Sequence, residues 1–181
     1  KNILIFFSIV ATISGTDVSF GSVVQFQGSD SRNPDITFDS TNNKVVIAWR
    51  HLSNSHYGTA IVGTVSGTSI SFGSAVVFES ARSESISVTY DSNAGKVVIA
   101  YNDEGNSSYG TAIVGTVSGT SISFGNAVVF QSGSTHDTST VYDSNAGKVV
   151  IAYKDGGNSG GGYNYGRLIV GTVSGTSISF G

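Results

Sequence analysis

The residues of this sequence that could bind a ligand lie in segments that differ between its internal copies. These segments combine aromatic rings with Asp, Asn and Arg. Such a mixture suits sugars, because the C–H faces of a sugar lie on rings while its hydroxyls take hydrogen bonds. The candidate binding residues are Arg32, Asn33, Arg50, His51, His56, Tyr57, Arg82, Glu84, Asp103, Glu104, Tyr109, His136, Asp137, Lys154, Asp155, Tyr163 and Tyr165.

The same segments also fit solvated loops without a specific role, since loops vary more than the elements they connect. Tyr57 and Tyr109 occupy equivalent positions in two copies. They could therefore pack beneath a loop instead of contacting a ligand. Both interpretations stay open at the level of sequence.

Metal-binding signatures are weak. The DSNAG segments that begin at Asp91 and Asp143 resemble an oxygen-rich Ca²⁺ loop. A tight hairpin turn with Asn and Gly at positive φ explains the same pattern more simply. His51, His56 and His136 could share a metal only if folding brought them together. The sequence contains no Cys, which excludes thiolate ligands. We therefore predict no metal and no cofactor.

Composition limits the classes of partner. Only 12% of the residues are charged and the net charge is −3, with no basic run. A nucleic-acid partner is not expected, because phosphate binding needs clustered Lys and Arg. The apolar segment KNILIFFSIVA at the start resembles a signal peptide, but residues 9–21 align with residues 61–73. The segment therefore belongs to the repeat, and it is too short for a membrane span.

The elements that must position the candidate residues repeat along the chain. GTAIVGTVSGTSISFG occurs identically at 58–73 and 110–125, and DSNAGKVVIAY occurs identically at 91–101 and 143–153, giving a period of 52 residues. Such periods indicate propellers, solenoids or arrays. We predict one repeat domain over 1–181, built from a partial blade at about 1–34, blades at 35–85 and 86–137, and a blade at 138–181 with a truncated outer strand.

Each unit is predicted to contain four antiparallel strands. In the middle unit these are SVTYDS (87–92), KVVIAY (96–101), YGTAIVGTVSG (109–119) and SISFGNAVVF (121–130), with a bulge or bend at Gly125. The continuous apolar run of the second strand indicates burial on both faces. The predicted fold is all-β, with tandem four-stranded blades of a β-propeller that form a partial ring or a ring completed by oligomerisation. A β-solenoid is the alternative.

The unit resembles the blades of sialidase-type (BNR-like) propellers. In that family the turn between the third and fourth strands often carries an Asp-box, whereas VSGTSISFG at 65–73 and 117–125 lacks the Asp and has Phe72 and Phe124 at the aromatic position. The resemblance would imply an arginine triad, a Tyr–Glu nucleophile pair and an acid Asp. None of the four Arg or three Glu lies in a recognisable motif. We therefore predict no enzymatic activity.

Two connections vary strongly between the copies: the lead-in to the first strand (30–35, 81–85 and 133–137) and the loop after the second strand (50–57, 102–109 and 154–165). In a propeller blade these two variable connections emerge on the same side, while the DSNAGK and VSGTS turns barely change. This contrast favours a non-catalytic module that binds glycans or another surface ligand, as lectins and adhesins do, outside the cell or on a virus particle. A structural spacer and a sialidase-like hydrolase are the alternatives. Unpaired strands at the two ends predict pairing with another copy or with more of the same polypeptide.

Overall fold

The computed structural model describes residues 4–156 and 165–181. Within them the regular elements are β-strands, apart from a single 3₁₀ turn at Glu104–Asn106, and the prediction of an all-β fold is confirmed. No helix in these residues is long and apolar enough to cross a membrane. The strands are β1 (Phe6–Ser8), β2 (Ala11–Ser14), β3 (Asp17–Phe20), β4 (Val24–Gln27), β5 (Ser31–Asp39), β6 (Lys44–His51), β7 (Tyr57–Ser66), β8 (Ser69–Phe72), β9 (Val76–Asp91), β10 (Lys96–Asp103), β11 (Tyr109–Ser118), β12 (Ser121–Phe124), β13 (Val128–Asp143), β14 (Lys148–Asp155), β15 (Tyr165–Ser174) and β16 (Ser177–Phe180).

Each repeat folds as an antiparallel meander. In the middle repeat, β10 pairs with the second half of β9 and with β11, and β11 pairs in turn with β12 and the start of β13. The fourth strand is thus split at Gly125, as predicted. We call the repeats unit A (31–82), unit B (83–134) and unit C (135–180), following the pairing of their strands.

Residues 4–30, here called the half-unit, repeat only the third and fourth strands. β2 pairs with β3 in the register of β7 with β8, so that Ala11 opposes Phe20 as Gly63 opposes Phe72. β1 pairs with β4 at the place where β7 pairs with β9. From Phe6 onward, the strands of this segment therefore pair in the register of the repeat.

Long strands connect one unit to the next. β9 and β13 have 16 residues each, and each supplies the end of one unit and the first strand of the following unit. Among the described residues the hydrogen-bonded path runs openly from β5 to β16 and does not close. Every pairing in it is antiparallel, which differs from the parallel coils of a β-helical solenoid.

The units stack face to face. On β10, Val97, Ile99 and Tyr101 point to one side, where they pack against unit A, while Val98 and Ala100 point to the other and pack against unit C. All five side chains are completely buried. The predicted burial of the second strand on both faces is confirmed. We call the face of each unit that meets the preceding unit its upstream face, and the opposite one its downstream face.

The first strands of successive units lie beside one another. The amide of Val88 donates to Oδ2 of Asp35 at 2.8 Å, and the amide of Thr140 donates to Oγ of Ser87 at 3.0 Å. These bonds join β5 to β9 and β9 to β13. The starts of the three first strands therefore form a row along the stack.

Candidate functional site

The variable segments of each unit meet at one edge of its sheet, which we call the variable edge. In unit B the lead-in to the first strand pairs with the end of the second, since Ser83 opposes Asp103 and Glu84 opposes Asn102. The amide of Thr135, at the start of unit C, donates at 3.0 Å to the carbonyl of Ser108, which lies in the loop after the second strand of unit B. Both kinds of variable connection are thus adjacent, as the sequence predicts.

A β-bulge recurs at this edge in every unit. The register shifts near the start of β5, in β9 opposite Ala100–Asn102 and in β13. Asn33, Ser85 and Asp137 have φ of 55°, 47° and 51°, a conformation that is uncommon for residues other than Gly. Bulges often re-aim neighbouring side chains beside functional sites. The side chains immediately before the three bulge residues are those of Arg32, Glu84 and His136.

Charged side chains from units A and B form a cluster at the variable edge. Arg50 at the end of β6 contacts the carboxylate of Glu84, and Nη2 of Arg82 lies 2.7 Å from Oε1 of Glu84. Nε of Arg82 also lies 3.2 Å from Oε2 of Glu104. Arg32 opposes Arg50 across the β5–β6 ladder. Three guanidinium groups against two carboxylates leave the cluster with net positive charge.

Arg50 is the buried member of this cluster. Burial, together with the nearby positive charges of Arg82 and Arg32, lowers the pKa of its guanidinium below the ordinary value. Its Nε finds no hydrogen-bond acceptor among residues 4–156 and 165–181. A buried donor without an acceptor is energetically costly, so this atom lowers the stability of the described fold.

His51 forms a polar contact that the sequence does not predict. Its Nε2 lies 2.8 Å from Oγ of Ser29 and 3.2 Å from Nε2 of Gln27. Burial lowers the pKa of the His51 imidazole below its ordinary value. Both partners belong to the half-unit, more than 20 residues away in the chain, and neither carries a recognisable motif.

The remaining histidines occupy separate places. His136 is exposed and its Nε2 lies 2.9 Å from Oγ of Ser134, whereas Nδ1 of His56 is buried with no hydrogen-bond partner in the described part of the chain. Over those same residues, no three His, Asp or Glu side chains are placed to hold a metal ion.

The DSNAG segments form hairpin turns at the opposite edge. In unit B, Oδ1 of Asp91 accepts from the amides of Asn93 and Ala94, both at 2.9 Å, and Gly95 has φ of 64°. The predicted turn is confirmed, with one correction: Asn93 does not adopt positive φ. Its amide instead caps the aspartate, an Asx-type turn that needs only the glycine in the left-handed region.

Several predicted binding residues have local structural partners. Oδ1 of the buried Asp103 accepts from the amide of Asn106 at 3.2 Å and caps the 3₁₀ turn that carries the exposed Glu104. Tyr57 and Tyr109 are half-buried at the starts of β7 and β11. Both residues therefore remain partly accessible at the variable edge.

In unit C the predicted residues lie around the end of β14. Asp155 is buried and its Oδ2 lies 2.6 Å from Nε of Arg167. Lys154 is half-buried and Tyr165, at the start of β15, is exposed. Tyr163 lies outside the described residues. Asp137 is exposed at the bulge, and its amide donates to Oγ of Ser85 in unit B at 3.0 Å.

Neither a protein-family model nor a curated protein matches the chain. Folding brings the predicted Arg32, Arg50, Arg82, Glu84 and Glu104 into one cluster.

Proposed function

We propose that the variable edge binds a glycan or another polar surface ligand, and that it does so without catalysis. The observation that carries the proposal is the Arg–Glu cluster, to which units A and B both contribute side chains. The backbone of the variable edge pairs in the same way in each unit and includes the bulge each time, while the side chains that it carries differ. A rigid scaffold with diversified loops is the usual arrangement of a binding surface.

The chemistry of the edge favours a ligand rich in hydroxyl or carboxylate oxygens. Guanidinium groups donate several hydrogen bonds in a fixed geometry, and the carboxylates of Glu84 and Glu104 accept them from hydroxyls. The half-buried rings of Tyr57 and Tyr109 stand at the same edge and offer apolar faces to a sugar. Glycans with these properties are displayed on cell surfaces, which supports a location outside the cell or on a virus particle.

We further propose that the units are blades of a β-propeller of the sialidase-like kind. Three features support this fold: four antiparallel strands per unit, face-to-face stacking, and first strands placed side by side. The outer faces of the stack expose apolar residues such as Ile13 and Phe20 at one end and Leu168 at the other. Other copies of the chain, or further repeats, would cover them and extend the partial ring. Light scattering tests this, since a monodisperse monomer at micromolar concentration would contradict it.

A glycan array with two matched variants tests ligand binding. Arg82→Ala removes one positive charge from the cluster. Lys96→Ala removes one positive charge from the opposite edge of the sheet, where the DSNAG turns lie. We expect the wild type and Lys96→Ala to bind the same glycans, and Arg82→Ala to lose them. No binding across a broad array at high micromolar concentration would refute the proposal. So would equal weakening by both substitutions.

The alternative functions predict different results. A spacer would bind no glycan and would sediment as an elongated rod, whereas a propeller would sediment as a compact disc. A sialidase-like hydrolase would release the fluorophore from a fluorogenic sialoside. We expect a compact particle that does not hydrolyse the sialoside.

A further inference from the structure

An open cleft of about 290 Å³ separates the half-unit from unit A. It lies between β1 and the start of β5. Its walls are mostly apolar and include Phe6, Phe26, Ile36 and Ile47, with Asp35 beside them. The cleft is lined by none of the side chains of the Arg–Glu cluster proposed above to bind ligands.

One side of the cleft is an unpaired strand edge. β1 pairs with β4, and within the described residues no strand pairs with its other edge. The equivalent strands β7, β11 and β15 each pair on that edge with the second strand of their own unit, namely β6, β10 and β14. The backbone groups of β1 are thus exposed at a position where the other units hold a strand.

The next junction shows what fills such a cleft. There, Phe78, Val88 and Ile99 form the walls, and the enclosed side chains are Val46 and Ala48 of β6. These wall residues lie 52 positions after Phe26, Ile36 and Ile47. The cleft therefore repeats a cavity that a second strand occupies elsewhere in the same molecule.

The empty position leaves apolar side chains in water. Ile36 is 58% exposed, while its counterpart Val88 is only 5% exposed. Phe38 is likewise exposed, whereas its counterpart Tyr90 is buried. The difference arises because unit A supplies a first and a second strand against unit B, and the half-unit has neither.

We propose that the cleft is a docking site for a β-hairpin with the chemistry of this repeat's first two strands. The second strand of the hairpin would pair with the open edge of β1 and place its small apolar side chains in the cleft, a form of strand addition. The register follows from β6 and β7, in which Ala48 opposes Ala60. In a hairpin with the sequence of residues 83–103, Ala100 would thus oppose Ser8.

A fluorescently labelled peptide of residues 83–103, added to the intact chain, tests this by anisotropy. Binding should saturate and should weaken at least about ten-fold with Ile36→Asp, because the carboxylate would be enclosed beside apolar side chains. Val141→Asp is the matched control, since Val141 is also 58% exposed on a first strand, at the opposite end of the stack. It should leave binding unchanged. A peptide carrying Val98→Asp should not bind.

Hydrogen exchange on the wild-type chain gives a readout that needs no variant. The peptide should slow exchange of the amides of β1, which gain strand partners. Absence of saturable binding would overturn the proposal. It would also fail if Ile36→Asp bound the peptide like the wild type, if the Val98→Asp peptide bound equally well, or if β1 gained no protection. None of these results depends on glycan binding.

Discussion

Two valines at the same position of the repeat provide a quantitative test of unit stacking. Val114 on the downstream face of unit B is 0% exposed against unit C, whereas Val170 on the same face of unit C is 46% exposed. Val114→Ala removes two buried carbon groups at about 0.8 kcal/mol each. With the cavity left behind, we expect a loss of about 2–3 kcal/mol in the free energy of unfolding. For Val170→Ala, roughly half the burial and no enclosed cavity give about 0.9 kcal/mol or less.

Urea unfolding measures both losses. Trp49 is the single tryptophan and is completely buried, so its fluorescence reports unfolding of the stack. Its midpoint should agree with that of far-UV circular dichroism, which establishes that the units unfold together. Equal losses for Val114→Ala and Val170→Ala would refute face-to-face stacking of units B and C. A loss below about 0.5 kcal/mol for Val114→Ala, the range of surface substitutions, would do the same.

Three further substitutions test other parts of the structure. Ile99→Asp should abolish folding, because an unpaired buried carboxylate costs several kcal/mol; a soluble, folded variant would show that β10 is an exposed edge. Gly73→Ala would direct a methyl group at the backbone carbonyl of Thr120 in unit B, so it should lower the melting temperature through a loss of about 1–3 kcal/mol; an unchanged melting temperature would contradict this contact. The pKa of the His51 imidazole is lowered below 6.5, so the folded state favours the neutral ring. The contribution of this ring to the free energy of unfolding is therefore present above pH 6.5, and it is lost as the pH falls through the pKa of His51 in the folded protein. His51→Gln should therefore flatten the dependence of stability on pH on the acid side; equal slopes for wild type and His51→Gln would count against the burial of this ring.

Much of the fold could be predicted because the information is local and repeated. Alternating or continuous apolar runs define the strands, and glycine-containing turns separate them. The run KVVIAY has apolar side chains on both sides of one strand, which requires a neighbour on each face. The identical copies at 91–101 and 143–153 then indicate that the same neighbours recur. The sheet order within a unit follows from these short connections.

From the sequence, the candidate site could be predicted only as far as the edge of the sheet on which it lies. Comparison of the copies identifies the variable segments, and the antiparallel order of strands places them together. The contact of Arg50 with Glu84 joins two units, however, and it depends on how far one sheet is displaced along the other. The bulges at Asn33, Ser85 and Asp137 share no residue type, so no pattern marks them.

The sequence by itself determined the period, the strands, the split in the fourth strand and the side of each sheet where variation collects. The tertiary structure alone decided which variable side chains touch. Apolar periodicity encodes the direction in which each side chain leaves its own strand, and that information is contained within about ten residues. A contact such as that of His51 with Ser29, 22 residues earlier, depends instead on the relative placement of two packed sheets. That placement is set by the summed fit of their buried faces, which no single segment records.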